Sequence, residues 1–210
     1  MLKKALLGFL GVGVALLCAI SVSAQPMHPF DLPQPANAPE RLLALIEIPK
    51  DSQVKYEIDP VHGGLMVDRF LPDTHRYPAH YGGLPSVKAA DGDLMDVLVI
   101  TSVPLVPGAL IEVIPVGLAR MRDGGEQDDK VLAIPMDDFN RQASNVPSLA
   151  LIDSDTLIAI EQFFTSYKAS EGKSNPIEWQ GFGGPVDFVA WWSNAQGHDA
   201  KKLRPSGVDH

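Results

Sequence analysis

Apolar and β-branched runs recur at short intervals along the middle of the chain, at Leu42–Ile48, Val54–Ile58, Leu65–Phe70, 95–101, 109–119 and 130–134. Pro49, Gly63-Gly64, Pro72, Gly82-Gly83, Pro107-Gly108 and Gly124-Gly125 separate them, so the spacing predicts strands joined by turns. Short strands at this density form a closed barrel or a compact sandwich. After Pro147 the pattern changes. Ile160, Phe163, Phe164 and Tyr167 recur at helical spacing behind the capping candidates Asp153 and Ser154, and a second helix is expected from Pro185 through Phe188, Trp191 and Trp192. The expected class is mainly β with α.

The same alternation sorts the charged residues. In Val54-Lys55-Tyr56-Glu57-Ile58-Asp59 the charged side chains share one face and the apolar ones the other. Arg69 instead shares a face with Leu65 and Val67, so its guanidinium either snorkels to water or is held by a partner; its fork of donors suits phosphate oxygens. On their own, Lys55 and Glu57 read as an ordinary solvated pair.

Asp91-Gly92-Asp93-Leu94-Met95-Asp96 leads straight into the apolar run Val97-Leu98-Val99-Ile100. Three carboxylates gathered at the mouth of a strand repel one another unless hard cations hold them, and magnesium is the expected ion. A polar turn entering a buried strand is the other reading of the cluster. An EF-hand calcium loop fits poorly, because Met95, Asp96 and Ser102 stand where that loop needs an oxygen donor, a glycine and a glutamate.

At the amino terminus, Lys3 and Lys4 precede an apolar run that is broken by Gly8, Gly11 and Gly13, and Val22-Ser23-Ala24 supplies small residues before Gln25. This is the pattern of a secretory signal over 1–24, cleaved before Gln25, and the run is short for a bilayer span. The expected location is periplasmic or secreted. Residues 25–40 are proline-rich and read as an extended arm outside the core, 41–196 as one domain, and 197–210 as a frayed tail. The only cysteine, Cys18, lies in the leader, so the mature chain must rely on its core rather than on disulfides. The chain carries 26 acidic against 17 basic residues, a formal charge of −9, and loss of Lys3 and Lys4 makes it more acidic still. That balance argues against nucleic acid or a membrane surface as a partner.

Ile46-Glu47-Ile48-Pro49, the segment from Val54 to Asp59, Val67-Asp68-Arg69-Phe70, Tyr77-Pro78-Ala79-His80-Tyr81-Gly82 and the cluster from Asp91 to Val99 stand in the order and spacing of one family. Over residues 42–179 the chain resembles the soluble family I inorganic pyrophosphatases. The resemblance continues through Pro115-Val116-Gly117, the acidic loop 123–130 and the segment from Phe163 to Lys168. Separated motifs in register carry a weight that none has alone. The resemblance implies a small, closed, OB-like five-stranded barrel flanked by carboxy-terminal helices, hydrolysing pyrophosphate with several magnesium ions. It implies that Asp91, Asp96, Asp123 and Asp128 hold metal and that Asp93 is the general base. Lys55, Arg69, Tyr81, Tyr167 and Lys168 correspond to groups on the phosphoryl oxygens, with Glu47, Glu57 and Lys130 in support. It also implies a homo-oligomer, a hexamer in the bacterial members.

Plainer readings stand beside these. Lys168 could be a cation near a helix C-terminus, Tyr167 a core residue on the stripe of Phe163 and Phe164, and Glu126 and Asp129 parts of a solvated turn. His62, His75 and His80 show no ligand spacing and read as surface or loop residues. Leu94, His80, Gly83 and Arg122 depart from the family pattern, which usually has proline, asparagine, an aromatic and a small polar residue there. Two rival functions remain open: a non-catalytic periplasmic module that binds divalent cations, and a broader phosphohydrolase acting on polyphosphate or nucleotides.

Overall fold

The computed structural model describes residues 27–72, 74–89, 92–142, 146–169, 172, 174–182 and 191–193. The strands are β1 (Leu42–Ile48), β2 (Val54–Ile58), β3 (Leu65–Phe70), β4 (His80–Lys88), β5 (Leu94–Val99), β6 (Leu110–Arg120), β7 (Arg122–Asp123), β8 (Glu126–Gln127), β9 (Lys130–Pro135) and β10 (Glu178–Gly181). The helices include the short α1 (Met136–Asn140) and α2 (Ser154–Ser166). Among the described residues no helix is long and apolar enough to cross a membrane.

The main sheet runs β1-β4-β5-β9-β6, and an additional pairing of β1 with β6 closes those strands into the expected five-stranded barrel. β10 adds to β6 outside the ring. Pairing is antiparallel except between β5 and β9, which run parallel with Asp96 opposite Lys130. β2 and β3 form a separate hairpin, as do β7 and β8.

Side-chain alternation divides the core in two. Ala44, Ile46, Leu84, Val97, Val99, Val113, Leu118, Val131 and Ala133 come from all five ring strands and fill the interior. Leu98, Leu132 and Ile134, on the opposite faces of the same strands, join Ile160, Phe163 and Phe164 of α2 in an outer cluster. Burial on both faces is why β5 and β9 read as continuous apolar runs rather than as alternating ones. Helix α2 begins where the sequence predicts it: the Asp153 carboxylate accepts from the Thr156 N–H at 2.8 Å.

Four expectations change. Gly82-Gly83 lies inside β4 and is not a turn. A Cβ on Gly82 would sit 1.8 Å from the Leu45 carbonyl oxygen, so the close approach of β1 demands glycine in mid-strand. His80 is buried at 2% exposure; it accepts from the Lys50 N–H at Nδ1 (3.0 Å) and donates from Nε2 to the Val103 carbonyl (3.1 Å). The arm, expected outside the core, is tied to it: Pro39 is buried, the Gln34 side chain bonds Leu43 and Pro85, and the His28 ring reaches the Asp59 carbonyl at 2.9 Å. β10 and α1 have no counterpart in the predicted elements. Residues 191–193 of the expected second helix are helical, whereas 183–190, the leader 1–24 and the tail 197–210 lie outside the described residues.

Candidate active site

Alternation along β5 turns Asp96 to the outer face, beyond Leu98, and alternation along β9 does the same for Lys130. The parallel register sets the two opposite each other, with Lys130 Nζ 2.6 Å from Asp96 Oδ2. The same ammonium donates to Asp128 Oδ1 at 2.8 Å and lies 5.5 Å from the Tyr81 ring centre and 5.4 Å from that of Phe164. Lys130 is 2% exposed, so its charge survives burial only because two carboxylates meet it.

Around this pair opens a cleft of about 320 Å³, lined by Glu47, Lys55, Glu57, Arg69, Tyr81, Asp93, Asp96, Asp123, Asp128, Lys130, Tyr167 and Lys168. All the residues singled out in the sequence are therefore gathered in one place except Asp91, which lies outside the described residues. Each side of the cleft comes from a different element. The β2–β3 hairpin supplies Lys55 and Arg69 as register partners, with Asp68 3.0 Å from Lys55 Nζ and 3.7 Å from Arg69 Nε. Glu57 also binds Lys55. The β7–β8 hairpin supplies Asp123, which pairs with Lys168 beyond the end of α2. Tyr167 stacks on Phe163 at 5.0 Å between ring centres and meets Phe164 edge-on at 5.6 Å, so it is core and cleft wall together.

Burial and charge set the proton affinities. Burial pushes the Glu47 carboxyl up to about 7, against a bond from the Ile58 N–H and with Asp96 and Glu57 adding repulsion. Asp128 also rises: pairing with Lys130 would lower it, but burial outweighs the pair. Burial pulls the lysines down, yet Lys130 ends above its ordinary value through Asp96 and Asp128, Lys55 through Glu57 and Asp68, and Lys168 through Asp123 and Tyr167. The Tyr81 hydroxyl is raised by burial and by Asp96, and stays protonated.

This chemistry fits a hard divalent cation. Among the described residues no three acidic or histidine side chains are already closed into a ligand group. Ammonium groups bridge Asp96 to Asp128 and bind Asp123, and Glu47 and Asp128, whose proton affinities burial raises, add carboxylate oxygens to the same cleft.

The model of the inorganic pyrophosphatase family matches residues 44–190. The chain belongs to the inorganic pyrophosphatase family. It is 43% identical to an inorganic pyrophosphatase of Gluconobacter oxydans over 158 residues, covering 75% of this chain and 86% of that protein. It superposes on the crystal structure of the inorganic pyrophosphatase from Thermus thermophilus with a TM-score of 0.68 at 35% identity, covering 74% of this chain and 90% of that one. For the structure from Coxiella burnetii the TM-score is 0.65 at 38% identity, with 79% and 96% covered. Membership in this family implies a divalent metal cofactor for the cleft.

Two departures from the family pattern prove to be neighbours. A Cβ on Gly83 would lie 3.1 Å from Leu94 Cδ1, so the leucine occupies the space that the glycine leaves. Arg122 donates to the Gly125 carbonyl at 2.9 Å and ties the tip of the β7–β8 hairpin. Sequence reasoning missed Asp68, whose only signal was its place beside Arg69. It also misread Asp129: Glu126 is exposed as expected, but Asp129 is buried at 9% exposure, with the Met121 N–H and the Gln127 amide on its carboxylate.

Proposed function

We propose that this chain hydrolyses inorganic pyrophosphate to two phosphates with magnesium as its metal, and that it does so outside the cytosol. The observation that carries the reading is the meeting, in one cleft, of cations suited to phosphoryl oxygens with carboxylates suited to hard metal ions. Lys55, Arg69 and Lys168 bind the substrate's oxygens, and Tyr81 and Tyr167 donate hydroxyl hydrogen bonds to them. Asp91, Asp96, Asp123 and Asp128 hold the metal. Magnesium, when bound, would supply positive charge that makes a neighbouring water more acidic and offsets the charge of the substrate. Asp93, exposed at the cleft rim, takes that proton as the water oxygen bonds to one phosphorus and the bridging oxygen leaves with the other phosphate. Glu47 and Glu57 tune the charge at the edge of the cluster, and Lys130 fixes the spacing of Asp96 and Asp128.

The leader pattern of 1–24 supports export, where the activity would clear or recover phosphate rather than drive biosynthesis. Intact-mass measurement of exported protein should find a chain that starts at Gln25; retention of Met1 to Ala24 would contradict this. A homohexamer follows from the family resemblance, and a native mass of one subunit would contradict it. The test of the activity is phosphate release by purified mature protein from pyrophosphate, tripolyphosphate and ATP, each with magnesium. Pyrophosphate should be turned over far faster than the other two. Preference for ATP or tripolyphosphate would favour the broader phosphohydrolase, and binding of metal without phosphate release would favour the non-catalytic module.

A further inference from the structure

Asp129 lies between Asp128 and Lys130 in the connection from β8 to β9, yet its carboxylate bonds Met121 and Gln127 rather than the ammonium that Asp128 meets. Its carboxylate forms the wall between the active cleft and a second cavity of about 770 Å³, lined on that side by Arg120 and Asn175. The surrounding backbone explains why a buried acid stands here. The β6–β9 ladder ends at Ala119 opposite Lys130, and the β7–β8 ladder begins at Arg122 opposite Gln127. In the gap, the Asp128 N–H donates to the Met121 carbonyl at 3.0 Å, while the buried Met121 N–H is met by a side chain, Asp129 Oδ1, at 3.3 Å. The other oxygen, Oδ2, accepts from Gln127 Nε2 at 2.7 Å and lies 3.6 Å from Arg120 Nε. One carboxylate therefore bridges both strands of the hairpin that carries Asp123 and Asp128.

We infer that Asp129 is a positioning residue, which locks the 121–130 hairpin so that Asp123 and Asp128 face the cleft at the spacing that a divalent cation needs. The inference rests on the proposed role of those aspartates as metal ligands. Asp129 touches neither substrate nor metal; it acts through Met121 and Gln127. A carboxylate is required because only it offers two acceptor oxygens to two donors. In Asp129→Asn the side-chain amide supplies one acceptor and turns a donor toward the other partner.

The test is magnesium titration of the metal-free protein by calorimetry, with steady-state kinetics on pyrophosphate in parallel. Asp129→Asn should weaken magnesium binding by about tenfold or more, the usual cost of losing an outer partner of a metal ligand. At saturating magnesium, its KM for pyrophosphate should stay within about twofold of the parent, because Lys55 and Arg69 are carried by the β2–β3 hairpin and the metal restores Asp123, the partner of Lys168, to its place. Gln127→Met, which removes the bond to Oδ2 alone, should weaken magnesium binding by less. It decides the matter if Asp129→Asn fails to fold. Parent-like magnesium affinity in a folded Asp129→Asn, or in Gln127→Met where Asp129→Asn does not fold, would overturn the inference. So would a loss of melting temperature with no loss of affinity. A parent protein that binds magnesium but releases no phosphate would instead overturn the proposed activity.

Discussion

Lys130 shows how strongly individual residues here depend on their neighbours. Its ammonium is buried between the partly exposed carboxylates of Asp96 and Asp128, so Lys130→Met would leave two acids facing each other at the floor of the cleft. Removing one partner of a buried pair costs about 3–5 kcal/mol, and metal-free Lys130→Met should be destabilised on that scale. Magnesium should recover much of the loss, because the cation restores the missing charge; thermal melts with chelator and with magnesium check this. Glu47 supplies the pH dependence. Its folded pKa of about 7 lies above the ordinary 4.5, so proton uptake stabilises the fold fully below about pH 4.5, and this contribution is lost as the pH rises through 7. Glu47→Gln keeps an oxygen for the Ile58 N–H without acquiring charge. In chelator, its melting temperature should match the parent below about pH 4.5, pull ahead as the pH rises from there to about 7 and keep a steady lead above that, and an advantage independent of pH would contradict the assignment.

At the scale of elements, glycine separates what the sequence discloses from what it hides. The helix α2 is legible because an apolar stripe and an aspartate cap point the same way, and the aspartate cluster is legible because its carboxylates open an unbroken apolar strand. β4 is hidden, since Gly82-Gly83 looks like a turn until β1 is laid against it. Gly82→Ala would drive a Cβ into the Leu45 carbonyl and should cost more than about 3 kcal/mol, or prevent folding altogether. Gly83→Ala meets only the Leu94 side chain at 3.1–3.2 Å, and repacking should hold its cost to about 1–2 kcal/mol. Denaturant unfolding of the two variants compares them, and equal costs would contradict the register given for β1 and β4. Asp129 and His80 were hidden for a related reason. Each is a polar residue whose burial depends on a backbone group distant in sequence, the Met121 N–H for one and the Val103 carbonyl for the other.

For the whole molecule, the five-stranded ring brings together motifs that lie far apart in sequence. Glu47 from β1, Lys55 and Arg69 from the β2–β3 hairpin, Asp93 and Asp96 at the start of β5, Asp123 and Asp128 from the 121–130 loop and Lys168 beyond α2 all line one cleft. Order and spacing alone carried that much. The docking of the arm through Gln34 and His28 was not legible, because proline-rich segments show no periodicity and their partners are backbone carbonyls elsewhere in the fold. On the proposed reading, cleavage of pyrophosphate in this cleft needs a divalent cation of tight octahedral geometry. The deciding measurement is the initial rate of phosphate release from pyrophosphate by the purified protein as magnesium is titrated, replaced by calcium or removed by chelator. The rate should rise with magnesium to saturation, fall steeply when calcium replaces it, because the larger ion holds its ligands loosely, and vanish in chelator. Equal turnover with calcium, or turnover that survives the chelator, would rule out this use of the metal.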